Sequence, residues 1–352
     1  MGVTTKIFGT TQAGEKTTLY VMTNKNGMQV SVLDYGANIV DIIVPDKNGK
    51  LEDINLGYDT VAGYEKNGPG YGSFLGRVAN RIAGAKFVVN GKTYEVTKND
   101  GPNCLHSGLK SYNKYMYETE IFEENDSVTV EFSRLSPDME QGFPGNMDLT
   151  ISYTLTDANE LVIEYFAVSD QDTVLNLTNH SYFNLKGQGN GTVLDHKAWI
   201  NSDMITTTDE NLIPTGEYTS VDGTPMDFRT MKTIGQDIEA DYAPLKQGFG
   251  YDHNYVLKHE EEGAVEKVAE LYEETTGRCM EVFTDLPGMQ FYSANHIGEE
   301  KGKGGKIYHS RDAICFETQF YPNTLNIPTF PGGRLKAGEE FESVTVYKFS
   351  VK

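Results

Sequence analysis

The sequence predicts an all-β protein built as one large antiparallel β-sandwich, and three observations carry that reading. Alternation of apolar and polar residues recurs from end to end of the chain. Thirty-six glycines, with many Asn and Asp, punctuate these runs at short intervals, as turns between antiparallel strands require. Helical periods are scarce, and neither a compositional linker nor a fixed-period repeat divides the chain. An all-β chain of 352 residues must close a barrel, stack two large sheets or split into domains. Without a linker, a single sandwich domain over residues 1–352 is expected.

The clearest strand is Met147 to Leu155, where Met147, Leu149, Ile151, Tyr153 and Leu155 alternate with polar residues. The same period marks Val128, Val130 and Phe132, and near the C-terminus Thr345, Tyr347, Phe349 and Val351. Between Phe87–Val89 and Thr93–Val96 stands Asn90-Gly91, a dipeptide that tolerates the positive φ angles of a type I′ hairpin turn. Further strands are expected at 18–23, 28–33, 39–44, 118–122, 161–168, 174–178, 279–283 and 289–294. The charge-rich segment 260–274 reads equally as a short helix or an exposed strand.

Composition removes several function classes. With 51 acidic and 30 basic residues the net charge is −21, which repels a phosphate backbone or an anionic lipid surface, so neither nucleic acid nor membrane is an expected partner. No stretch approaches the length of a membrane span, and the N-terminus lacks the apolar core of a signal peptide. Cys104, Cys279 and Cys315 are an odd number without paired spacing, which argues against a disulfide framework or a zinc ribbon. A reducing, cytoplasmic setting is expected, with the chain a monomer or weak homodimer.

Chemistry concentrates in a few turn-rich clusters. His106 and His180 carry imidazoles that titrate near neutral pH and serve as general acid or base. Glu317 follows a run, Ala313 to Phe316, that reads as buried strand, where an ionised carboxylate is costly unless partnered. Asn80 and Arg81 offer an amide and a fork of donors, Asp252 an acceptor, Gln290 an amide and Tyr182 an aromatic face, all suited to hydroxyl-rich ligands. Singly, each also has an ordinary structural explanation. A metal site is not expected, because His106 and His180 are far apart in sequence and no close ligand pair accompanies either.

Together the strings GRVANRI (76–82), NCLHSG (103–108), LTNHSYFNL (177–185), GYDHNYVL (250–257), PGMQFY (287–292) and CFETQFYPN (315–323) have the order and spacing of the aldose 1-epimerase (galactose mutarotase) family, which the chain resembles over nearly its whole length. The resemblance implies a galactose mutarotase-like supersandwich and an isomerase that interconverts the anomers of free hexoses. By similarity Glu317 is the general base at the anomeric hydroxyl, His180 the general acid at the ring oxygen, and His106 a further active-site histidine. Asn80, Arg81, Ser181, Tyr182, Asp252 and Gln290 fall where family members contact sugar hydroxyls. No cofactor is implied, since opening a hemiacetal needs only one proton removed and one delivered. The string His106-Ser107-Gly108 departs from the two glycines of many relatives, which leaves the backbone there open. Nothing is carried over for 302–312. The rivals are a hexose 6-phosphate epimerase, which needs a basic phosphate site, a two-carboxylate glycosidase using Glu317 and Asp252, and a non-catalytic sugar-binding protein.

Overall fold

The computed structural model describes residues 1–352. Its strands form one nine-stranded sheet, two five-stranded sheets and five two-stranded ribbons, and every ladder between strands is antiparallel. The nine-stranded sheet runs, from edge to edge, through 118–123, 127–136, 147–156, 160–169, 340–351, 278–284, 266–272, 197–200 and 232–233. One five-stranded sheet is a sequential meander of Gly2–Thr10, Lys16–Thr23, Gln29–Leu33, Asn38–Pro45 and Leu51–Asp53. The other orders Pro214–Ser220, Met204–Thr208, Asp252–Val256, Gly288–Tyr292 and Cys315–Gln319.

A cluster of 53 buried residues joins the inner face of the large sheet to the facing sides of both smaller ones. In Met147–Thr156 the alternating apolar residues are all buried there, as the two-residue period predicts. Polar links cross the layers without breaking the core: the Tyr153 hydroxyl donates to the Ala37 carbonyl at 2.6 Å, and that of Tyr347 to the Phe316 carbonyl at 2.8 Å. Such donors must be satisfied when buried.

The predicted hairpin forms between Lys86–Val89 and Lys92–Glu95, with Asn90 at φ 50° and Gly91 at φ 76°. Two readings change. Segment 174–178 is interrupted: Thr173–Val174 pairs with Arg334–Leu335, and a new strand, Thr178–His180, pairs with Ser73–Leu75. Segment 260–274 contains no helix, and its strand, Glu266–Tyr272, is interior to the large sheet. Its charges misled because Glu270, though buried, is held by Lys267 at 2.6 Å and by Lys352. Buried carboxylates paired in this way tolerate a central strand. Only two α-helices occur, Val61–Lys66 and Ala243–Gly248, and no helix is long and apolar enough to cross a membrane.

Candidate active site

Period-2 alternation builds the floor of the site. The strands Asp252–Val256, Gly288–Tyr292 and Cys315–Gln319 lie side by side, with Asn254 opposite Gln290 and Gln290 opposite Glu317. Asp252, Gln290, Tyr292, Cys315 and Glu317 therefore share one face, while Tyr255, Met289, Phe291 and Phe316 enter the main core on the other. Histidines complete the site from separate loops. His106 follows the short Cys104–Leu105 strand, which pairs with Arg81–Ile82, and His180 ends the Thr178–His180 strand.

These elements enclose a cavity of about 390 Å³ lined by Asn80, Arg81, His106, His180, Tyr182, Asp252, Gln290 and Glu317. Eight of the nine sequence-predicted residues thus converge. Ser181 does not line it. Its hydroxyl donates to Asn179 Oδ1 at 2.7 Å, because its neighbours His180 and Tyr182 point to the cavity and the extended chain turns Ser181 the other way. Tyr292, His296 and Glu300 line the cavity without having been singled out. Tyr292 was within reach of the strand period, two residues beyond Gln290, whereas His296 and Glu300 lie in irregular chain that has no period.

At the reacting end, His180 Nε2 lies 3.5 Å from Glu317 Oε1. The imidazole is clamped: it stacks on Tyr182 with ring centroids 4.8 Å apart, and Nδ1 faces Cys315 Sγ at 3.5 Å. Burial pushes the His180 pKa down to about 4, partly opposed by the Asp252 charge. Burial, reinforced by Asp252 and opposed by Arg81, raises the Glu317 carboxyl well above its ordinary range. Both groups are thus drawn toward their neutral forms, so the pair holds one proton nearer Glu317. The charge pair that proximity alone favours is disfavoured by desolvation.

His106 is oriented by its backbone partners. Its Nδ1 accepts from the Asn80 N–H at 3.0 Å, and its own N–H donates to the Asn80 carbonyl at 3.0 Å. A neutral ring with Nδ1 as acceptor carries its proton on Nε2, leaving that nitrogen as a donor. Asn80, His106 and Ser107 take φ values of 60°, 50° and 65°, a region disfavoured for side chains. Ser107 compensates for its strained backbone: its hydroxyl accepts from the Val78 N–H at 2.7 Å and donates to the Val78 carbonyl at 3.0 Å.

Opposite the dyad, Asp252 Oδ1 accepts from Gln290 Nε2 at 2.7 Å, and Arg81 stands between Asp100 at 2.9 Å and Asp252 at 3.8 Å. This leaves a planar fork of donors beside two acceptors, a match for vicinal hydroxyls.

The fold brings His106, His180 and Glu317 together, with donor atoms all within 4.8 Å of one another, which removes sequence distance as an argument against a metal. Ligand atoms around a tetrahedral zinc at bond lengths near 2.1 Å stand about 3.4 Å apart. The His180–Glu317 pair already stands near that spacing at 3.5 Å, while the trio as a whole spans up to 4.8 Å.

The family model for aldose 1-epimerase matches residues 18–348. Galactose mutarotase from Bos taurus is 40% identical over 354 residues, covering 100% of this chain and 99% of its own. The aldose 1-epimerase of Escherichia coli (strain K12) is 34% identical, with 96% of each chain covered. Among solved structures, an aldose epimerase homologue from C. elegans superposes with a TM-score of 0.86 at 31% identity, covering 95% of this chain and 98% of its own. Galactose 1-epimerase from Lactobacillus acidophilus NCFM gives 0.88 at 25% identity, covering 100% and 99%. With this agreement over full length in sequence and in fold, the chain belongs to the aldose 1-epimerase family.

Proposed function

We propose that this chain is an aldose 1-epimerase that interconverts the α and β anomers of free hexoses, galactose and glucose among them, by acid–base opening and closing of the ring. The observation that carries this reading is the Glu317–His180 pair, whose facing atoms are 3.5 Å apart at the pocket lining. The two sugar oxygens that exchange protons, O1 and O5, are both bonded to C1, so their acid and base must be near neighbours. Glu317 takes the O1 proton as His180 Nε2 delivers one to O5, and the C1–O5 bond breaks. Rotation about C1–C2 presents the other carbonyl face, and reversing the transfers closes the opposite anomer.

Burial holds the resting pair as carboxylic acid and neutral imidazole, which contains the same single proton as the reactive carboxylate and imidazolium. Sugar hydroxyls that donate to Glu317 and accept from His180 favour the reactive arrangement. Each positioned proton transfer contributes typically about 10²- to 10⁴-fold. His106, through Nε2–H, donates to oxygen near the reacting centre. Asn80, Arg81, Asp252 and Gln290 hold the remaining hydroxyls, and Tyr182 braces His180 from behind. Ser181 has only an indirect part, through Asn179.

The charged groups of the pocket favour a free sugar over its 6-phosphate. Arg81 is already shared by Asp100 and Asp252, and Glu300 and Glu317 add carboxyl groups, so no free cation awaits a phosphate. The catalytic unit is the single domain 1–352, since the site draws on residues from 80 to 317. Its three cysteines are free and buried, which suits a reducing, cytoplasmic setting. Polarimetry of freshly dissolved α-D-galactose and α-D-glucose tests the reading. Catalytic amounts of protein speed the approach to the equilibrium rotation of at least one sugar; folded protein that accelerates neither would refute it.

A further inference from the structure

One strand supplies a partner to each nitrogen of the catalytic imidazole. Cys315 and Glu317 are alternate residues of Cys315–Gln319 and so project from the same face of the sheet. Glu317 Oε1 lies 3.5 Å from His180 Nε2, and Cys315 Sγ lies 3.5 Å from Nδ1, the one side chain within hydrogen-bond reach of that nitrogen. Both partners are shut off from water: Cys315 is fully buried and His180 is buried. The rings of Tyr182 and Tyr292 close round the histidine at 4.8 and 6.1 Å, and Tyr292 pairs with Cys315 across the sheet. Burial, reinforced by the Glu317 and Asp252 charges, pushes the Cys315 pKa well above its ordinary value, so the group is a neutral thiol that can either accept or donate.

The direction follows from the proton count. During ring opening His180 Nε2 alternates between holding a proton for O5 and lying bare. A neutral imidazole that is bare at Nε2 carries its proton on Nδ1. The resting pair needs the same tautomer, because the proton held by Glu317 requires a bare Nε2 as its acceptor. In the imidazolium Nδ1 is again a donor. Nδ1–H is therefore present in every state, with sulfur as its acceptor, whereas the opposite tautomer would set the Glu317 O–H and the Nε2–H against each other. His106 shows the converse arrangement in the same pocket: its Nδ1 accepts from the Asn80 N–H, which places its proton on Nε2. Two rings with centroids 5.5 Å apart are thus held in opposite tautomers by unlike partners.

Resting on the epimerase reading, we infer that Cys315 is a positioning residue, whose sulfur accepts the Nδ1 proton of His180 and so fixes the tautomer that leaves Nε2 free to exchange a proton with the ring oxygen. Cys315 does not line the cavity, so it reaches the sugar only through His180. In native protein labelled with nitrogen-15 histidine, long-range nitrogen–proton correlation spectra at neutral pH report the tautomer of each ring. His180, identified by the signals lost in His180→Asn, shows the Nδ1–H pattern. Cys315→Ala and Cys315→Ser remove nearly equal volume and differ by one acceptor oxygen, so a packing role predicts equal losses. Polarimetry on galactose shows kcat lowered about tenfold in the alanine variant with KM held within about twofold, and kcat within about threefold of native in the serine variant. An Nε2–H pattern for His180 in the native protein overturns the inference, whether or not the variants fold. So does an alanine variant with native kcat, or alanine and serine variants with equal kcat. Native protein inactive on both galactose and glucose overturns the epimerase reading itself.

Discussion

Replacing Glu317 with Gln tests the dyad in two independent ways. The side chain is 2% exposed, and Gln has nearly its shape, so the strand and the 3.5 Å approach to His180 can persist while the proton acceptor is lost. Losing one positioned proton transfer costs about 10²- to 10⁴-fold in kcat, roughly 3 to 5 kcal/mol of barrier. The second readout is stability. Because burial raises the Glu317 pKa, its contribution is fully present below the ordinary carboxylate pKa of about 4.3 and is lost as pH rises through the folded value. Gln has no such titration. The melting temperature of Glu317→Gln relative to the native protein should therefore climb as pH rises above the ordinary carboxylate range. Polarimetry supplies the first measurement and thermal unfolding at several pH values the second. A variant retaining more than about a tenth of native kcat refutes the assignment of the base. A melting difference that stays flat with pH refutes the burial argument.

Turnover should show a bell-shaped pH profile, falling below about pH 4 as His180 gains a second proton for the dyad, and falling on the alkaline side as Glu317 loses the shared one. A profile flat across both ranges would contradict the shared-proton account. Arg77, 2% exposed, donates to the carbonyls of Ser136, Pro144 and Gly145 at 3.2, 2.5 and 3.1 Å, so Arg77→Met should cost about 3 to 5 kcal/mol by denaturant unfolding. Lys303 is pinned between Asp53 at 2.5 Å and Asp41 at 3.0 Å, close to the Glu300 wall of the pocket. Lys303→Met should lower the melting temperature and raise the substrate KM. The thermal loss should be smaller at pH 5 than at pH 8, because the Asp53 pKa, raised by burial to about 6, lets that carboxyl go neutral once its partner is gone.

Legibility in the sequence followed the range of the interactions involved. The Met147–Leu155 alternation and the Asn90-Gly91 turn are local rules, and both appear in the fold. Glu317 stood out because a carboxyl in a buried strand demands a reason, and the fold supplies His180 from 137 positions away. Lys303 was opaque for the converse reason: in a Lys- and Gly-rich stretch it reads as surface, and only tertiary pairing with Asp41 and Asp53 takes it inside. The break between Val174 and Thr178 likewise depends on partners at Arg334–Leu335 and Ser73–Leu75. Ser181 was misplaced because motif membership says nothing about which side of the chain a residue faces.

The last strand, Glu340–Val351, lies in the interior of the nine-stranded sheet, hydrogen-bonded to Glu160–Ser169 on one side and Arg278–Thr284 on the other. On the ribosome, the two halves of that sheet therefore wait for residues 340–351 to clear the exit tunnel. Until then the nascent chain displays two unpaired edges, a state that invites chaperones and association with its neighbours. A premature stop near residue 339 would spare every catalytic side chain yet leave that state permanent, so its harm would appear as lost yield rather than as altered kinetics.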